Sequence, residues 1–350
     1  MHLVNGQGRP SLRGAATVGA LAMFTLVSIG CQGGGGSKPP KPEAPTDAAD
    51  AIKPIEFAEK NGKEPYNTSG IVPIGDGHFI LVDNNTNDAL LDLTLTPDGK
   101  VAKPISRLPL QGLSEKSVDD LEDLALAEIG GRRFIFAMPS LSVKPGSKKK
   151  GKDDKVRPSA LLRIAIGADG SLTAEAMPDF RDWLVANNAV IAESATNDPD
   201  YGGLNVEGLA WDPARQALLL GIRTPALNTG ALVLPIRLKD PAGPWTVANL
   251  EAQTPIVLNV EHEASAQGVR GMSTGRDGKG FLVVVANATS DDTAGFSVYE
   301  WDGNQEGVVK RLPYAFAKKM KPEGLTVGTV GGKPAIVFVD DNGGYQIVWL

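Results

Sequence analysis

Five short phrases recur along the chain, and four of them open on an ionisable residue. They read Ser69-Gly70-Ile71-Val72, Glu122-Asp123-Leu124-Ala125, Glu207-Gly208-Leu209-Ala210, Arg270-Gly271-Met272-Ser273 and Glu323-Gly324-Leu325-Thr326. Each is followed by a turn and a strongly apolar run. Those runs end on a second set, polar in four of the five: Asp83 with Asn84, Pro139, Arg223, Asn287, and Asp340 with Asp341. Carboxylate and amide oxygens are hard donors suited to Ca²⁺ or Mg²⁺. Asp83, Asn84, Asp340 and Asp341 are therefore the candidate metal set, with calcium as the candidate cofactor. A guanidinium forks onto phosphate or carboxylate. Arg223 and Arg270, with Glu122, Glu207 and Glu323, are the candidate ligand-binding set, suited to a small anionic ligand. The same residue types also serve plain architecture, because buried Glu–Arg pairs and turn-capping Asp hold strands together without a ligand.

These residues can meet only if the apolar runs bring them to one place. The runs are His78 to Val82, Arg133 to Ala137, Ala217 to Ile222, Gly280 to Ala286 and Pro334 to Val339, and another strand-like run follows each. They are short, rich in Val, Ile and Leu, and bounded by Gly, Asp or Asn, as buried strands are. Asp98-Gly99, Asp169-Gly170, Asp277-Gly278 and Asp302-Gly303 supply hairpin turns between them. The second phrase positions, 70, 123, 208, 271 and 324, are spaced by 53, 85, 63 and 53 residues. Units of this size with about four strands each match propeller blades. The long interval is accounted for by an insertion at 140–158 and another at 179–205, the latter with a short helix around 182–192. The expected fold is thus all-β, a single β-propeller of five blades, with six as the runner-up. The last unit lacks an outer strand, and Ile52 to Phe57 can supply it, closing the ring from the N-terminal side. In antiparallel blades the start of the first strand and the end of the second share a face, so the two polar sets converge on one mouth.

Three other motifs are decoys. Gly271-Met272-Ser273-Thr274-Gly275 has the spacing of a nucleophile elbow, but Ser273 falls in repeat register as a strand residue, without the strand–turn–helix setting that motif requires. Gly146 to Lys152 has phosphate-loop spacing, but Asp153 stands where a Ser or Thr is needed. Past residue 30 the only histidines are His78, read as a strand-edge residue, and His262, read as a loop residue, too few for a His-rich zinc site.

The net charge of −6 argues against nucleic-acid binding, and a single Cys excludes a disulfide framework. Arg9 and Arg13 precede an uncharged, mostly apolar stretch from Ala15 to Gly30, which reads as a signal peptide over residues 1–30. Its end, Leu26-Val27-Ser28-Ile29-Gly30-Cys31, resembles a bacterial lipoprotein lipobox, which implies lipidation of Cys31 and a membrane anchor. Gln32 after the Cys implies, by the same resemblance, an outer-membrane address in the cell envelope. Residues 31–50 read as a Gly/Pro-rich tether and 51–350 as the propeller domain. The insertion at 140–158 is strongly basic, with seven Lys or Arg between Lys144 and Arg157. The chain is expected to be a monomer.

Gly203-Leu204-Asn205-Val206-Glu207-Gly208-Leu209-Ala210, Leu219-Leu220-Gly221-Ile222-Arg223-Thr224-Pro225, Pro322-Glu323-Gly324-Leu325 and Asp340-Asp341-Asn342-Gly343 resemble the family called domain of unknown function 3616, within the circle of phytase-like and esterase-like propellers. The resemblance implies a propeller and leaves the function open between a structural envelope protein with no small ligand and two others. One is a module that binds a small anionic ligand or an envelope protein at a polar mouth. The other is a calcium-dependent phosphoesterase.

Overall fold

The computed structural model describes residues 51–57, 66–114, 117–144, 157–261, 266–289 and 295–350. The lipobox, Cys31, His262 and most of the basic insertion lie outside them. Among the described residues, each phrase opens the innermost strand of an antiparallel sheet. The first sheet is Thr68–Gly75, His78–Asp83, Ala89–Thr94 and Ser106–Gln111; the second is Leu121–Ile129, Arg132–Pro139, Leu161–Ile166 and Leu172–Met177. Their outermost strands run parallel and pair at Leu110 with Leu172 and Gln111 with Thr173, so the two sheets are continuous. The third is Asn205–Asp212, Ala217–Leu227 and Gly230–Leu238, with Leu250–Ala252 and Ile256–Leu258 both on its outer side. The fourth is Gln267–Thr274, Phe281–Asn287, Ser297–Trp301 and Val309–Arg311. The fifth is Pro322–Val330, Lys333–Asp340 and Gly344–Trp349, completed by Ile55–Glu56 from the other end of the described chain.

The inner strands pack on one another in chain order, and the fifth returns to the first. The protein is an all-β propeller, closed as expected by an N-terminal strand in which Ile55 pairs with Tyr345 and Glu56 with Gly344. The core lies in the layers between neighbouring sheets. Phe136, Leu209, Leu220 and Leu234 belong to one such layer, and Phe79, Leu81, Val337 and Tyr345 to another. The predicted turns form at the predicted places: Gly170 and Gly303 both adopt positive φ, 81° and 87°, which a side chain resists. The second insertion carries two helices, α1 (Phe180–Asn187) and α2 (Ala189–Ala192). The buried Arg181 guanidinium fastens α1 by donating to the carbonyls of Leu141 and Ala195.

One irregularity repeats in every sheet. In each inner strand the ladder slips by one residue at the phrase: between Thr68 and Gly70, Leu121 and Asp123, Val206 and Gly208, Val269 and Gly271, and Pro322 and Gly324. The unpaired residues are Ser69, Glu122, Glu207, Arg270 and Glu323. A β-bulge of this kind bends the strand and re-aims one side chain. The small residue that follows has a separate cause. A Cβ on Gly271 would lie 2.3 Å from the Glu323 carbonyl oxygen, and one on Gly324 would lie 2.4 Å from that of Ser69. The inner strands approach one another too closely there for any side chain.

Candidate functional site

The bulged residues of the second to fifth sheets face a cavity of about 270 Å³ at one end of the ring. Glu122, Glu207, Arg270 and Glu323 line it from the inner strands. Arg223 lines it from the second strand of the third sheet, itself an unpaired residue between Ile222 and Thr224. Asn84 and Asp341 complete the wall from the sequence-derived set, and Asn205, Asn287, Phe296 and Lys321 join them. Asn205 was not singled out from sequence; it lies two residues before Glu207 on the same strand, and its Nδ2 donates to Glu207 Oε1.

Asp83 and Asp340 stand behind this wall. Asp83 is fully buried and accepts from the Asn85 N–H at 2.9 Å. Asp340 accepts from the N–H groups of Lys321 at 2.9 Å and Asn342 at 3.3 Å. Both carboxylates hold turns, the architectural use of Asp. Among the described residues, no group of three His, Cys, Asp or Glu side chains is placed to hold a metal ion.

The charges are distributed unevenly. Glu207 Oε1 accepts from Arg223 Nη1 at 2.6 Å and from Asn205 Nδ2 at 2.9 Å. Arg270 bridges two carboxylates: its Nε lies 2.8 Å from Glu207 Oε2, out of line for a hydrogen bond, and its Nη2 donates to Glu323 Oε1. Arg223 Nε donates to the Ala288 carbonyl at 2.9 Å. The Arg270 guanidinium also lies over the Phe296 ring, 5.7 Å from its centroid. Glu122 stands apart. It is buried, receives a hydrogen bond of 3.3 Å from Asn84 Nδ2, and forms no ion pair with any of the described residues.

The titration of the site follows from this arrangement. Burial pushes Glu122 well above the usual carboxylate range, and the negative neighbours Glu207, Asp120 and Glu323 push it further, with Arg270 opposing. Burial also lifts Glu323 to about 7, with Arg270 holding it down and Glu207 and Asp341 holding it up. Burial raises Asp341 as well, against Lys321 and Arg270. Burial by itself would lower Arg270, but Glu207 and Glu323 outweigh it, and the guanidinium stays charged.

Asp123 occupies the position where the other four phrases carry Gly. Its side chain is fully buried and reaches across the ring. Oδ2 accepts from Leu209 N–H at 2.7 Å and Met272 N–H at 3.1 Å, and Oδ1 accepts from Leu124 N–H at 2.8 Å. One carboxylate thereby ties the second, third and fourth sheets. A smaller cavity of about 230 Å³, lined by Leu124, Ala125, Leu209, Ser273 and Thr326 among others, carries no ionisable side chain. Ser273 opens onto it from a strand and donates to the Thr274 carbonyl at 3.1 Å, without the strand–turn–helix setting of a nucleophile.

His78 packs Nε2 against Asp92 Oδ1 at 2.5 Å on the opening residue of the second strand of its sheet, and Lys103 Nζ meets Asp92 Oδ2 at 2.7 Å. At the feet of the basic insertion, Lys144 pairs with Asp119 at 3.4 Å and Arg157 with Asp120 at 3.1 Å.

Ring closure and a polar cavity at one end define the class: a β-propeller with a charged central pocket. Residues 189–331 match the model of DUF3616, a family described as protein of unknown function, as the resemblance anticipated. That segment includes Glu207, Arg223, Arg270 and Glu323. No curated protein matches the chain. Similar solved structures include an α-L-arabinofuranosidase from Lactobacillus brevis, with 11% identity over 87% of this chain and 94% of that one and a TM-score of 0.47. An endo-arabinase from Bacteroides thetaiotaomicron VPI-5482 shows 14% identity over 84% and 96%, with a TM-score of 0.44. The Malassezia sympodialis allergen Mala s 1 shows 11% identity over 84% and 94%, with a TM-score of 0.45. At this level they carry no argument about chemistry.

Proposed function

We propose that the chain is a binding module: a monomeric five-bladed propeller, lipid-anchored in the bacterial outer membrane through Cys31, that holds a small polar ligand in its central cavity. The observation that carries the ligand site is the repeated bulge. Four sheets spend their ladder irregularity on turning Glu122, Glu207, Arg270 and Glu323 towards one place. Bulges next to functional sites commonly re-aim side chains in this way. The cavity is just below the ~300–1,000 Å³ of sites for drug-sized ligands. It suits a small molecule in place of about nine waters at ~30 Å³ each.

A thermal-shift screen of small cationic, neutral and anionic polar compounds tests the site, because a ligand that binds only the folded state raises its melting temperature. Compounds that stabilise the wild type but not Thr289→Trp, which places a bulky ring at the exposed rim, support the reading. No stabilisation by any class would refute it. Cys31→Ser tests the anchor and should move the protein from the membrane to the soluble fraction. The calcium-dependent phosphoesterase is not adopted, because Asp83 and Asp340 are committed to turns. Calcium-dependent ester turnover lost in Asp341→Asn would reinstate it.

A further inference from the structure

We propose that the ligand of this cavity is a small organic cation, a protonated amine, held by acceptor oxygens that the protein itself leaves unmatched. This rests on the binding reading above and specifies its ligand. Both arginines that suggested an anion are already committed: Arg223 to Glu207 and the Ala288 carbonyl, and Arg270 to Glu207 and Glu323. Among the described residues the lining holds four carboxyl groups, Glu122, Glu207, Glu323 and Asp341, beside the three bases Arg223, Arg270 and Lys321; burial raises the titration of Glu122, Glu323 and Asp341, so what the wall offers an amine is acceptor oxygens rather than net negative charge.

The acceptors are in surplus. Asn205 is more than nine-tenths buried at the cavity wall, and its Oδ1 accepts no hydrogen bond from the described residues. The bond from its Nδ2 to Glu207 fixes which end of the amide is oxygen. Glu207 Oε2 lies 2.8 Å from Arg270 Nε, out of line for a hydrogen bond but paired in charge, so it adds no free acceptor. Asn84 bonds Oε2 of Glu122, and none of the described residues bonds its Oε1. A buried acceptor without a donor is costly, and an ammonium brings three donors and no acceptor. Among the described residues no group of three His, Cys, Asp or Glu side chains is placed to hold a metal ion, whereas an ammonium needs only acceptors around it.

A pH signature follows. Burial raises the titration of Glu122; Glu207, Asp120 and Glu323 raise it further and Arg270 opposes them, so the empty cavity favours its protonated form. An ammonium favours the ionised form, so binding displaces a proton and affinity rises with pH.

The test is calorimetric titration with ethanolamine and putrescine at pH 6 and pH 8, in buffers of different ionisation enthalpy. Inorganic phosphate, malonate and glycerol serve as controls. The expected result is that an amine binds, with net proton release and at least threefold higher affinity at pH 8. Glu122→Gln should lose proton release and about tenfold in affinity. Asp341→Asn, at the partly exposed rim, should weaken binding without disturbing the fold. Binding of phosphate, malonate or glycerol in the absence of amine binding, blocked by Thr289→Trp, would overturn the cation and leave the site standing. No binding by any probe here, together with an empty thermal-shift screen, would overturn both. Amine binding that is unchanged in Glu122→Gln and Asp341→Asn would overturn the assignment to this cavity.

Discussion

Replacing Asp123 tests the architecture most directly. Its carboxylate is the one side chain at the position where every other phrase has Gly, and it joins the second sheet to Leu209 of the third and Met272 of the fourth. Hydrogen bonds to a charged group contribute about 1.5–3 kcal/mol each, and a buried N–H left unpaired costs about 1–3 kcal/mol. Removing the carboxylate also removes its own burial penalty, which pushes its pKa well up against the three N–H groups that hold it down. For Asp123→Ala the two inter-sheet bonds therefore dominate, and a loss of about 3–5 kcal/mol is expected. Asp123→Asn keeps one acceptor but turns an NH₂ towards an N–H, so about 1–3 kcal/mol is expected. Urea unfolding at unchanged m-value is the assay. Formate should restore part of the stability of Asp123→Gly, because it supplies a carboxylate to the vacated N–H groups, and chloride should restore less. A loss below about 1 kcal/mol in Asp123→Ala would refute the reasoning, since it lies under the value of even one charged bond.

Three further outcomes follow. Arg270→Met leaves Glu207 and Glu323 without their shared partner and should cost about 3–5 kcal/mol, as breaking a buried pair does; an unfolding midpoint equal to wild type would contradict the bridging role. Glu323 titrates near 7 when folded against 4.5 unfolded, so the native state holds a proton that the unfolded state releases. Its contribution is full below about 4.5 and disappears above about 7, a difference of about 3–4 kcal/mol at ~1.36 kcal/mol per unit. Urea midpoints should therefore fall from pH 5 to pH 8, and Glu323→Gln should flatten that slope. Deleting residues 1–57 removes the strand that covers Tyr345 and should lower the melting temperature and promote edge-to-edge association, read by light scattering; a monomer of unchanged melting temperature would show the strand to be dispensable.

The repeat was legible because each phrase is a physical necessity written in sequence. The glycines at 271 and 324 stand where neighbouring backbones crowd and that at 208 where the Val269 and Met272 side chains do, and the residue before each is pushed out of register. That is why Glu207, Arg270 and Glu323 could be gathered from spacing alone. Their pairing could not, because which carboxylate captures which guanidinium depends on side chains from different sheets. Asp83 and Asp340 show the same limit: their position at a strand end was readable, but not whether the side chain turned to the cavity or back to its own turn. The join between the first two sheets rests on two residue pairs between short, partly exposed outer strands, and no sequence period announces it. Asp123 did carry a signal, since an acid in a column of glycines is an exception that asks for a partner.

The closing strand has a mechanical consequence. Ile52 exchanges backbone hydrogen bonds with Ala315 and Ala317 at 2.7 and 2.8 Å, Ile55 and Glu56 complete the fifth sheet, and the Phe57 ring stacks 5.1 Å from that of Tyr345. Traction from anything upstream of residue 51 is therefore delivered to the ring's own seam. The load path runs through Ile52 first and reaches the Phe57–Tyr345 stack last. The segment that completes the circle is also the latch that a sufficient pull would release, leaving Gly344–Trp349 as a free edge.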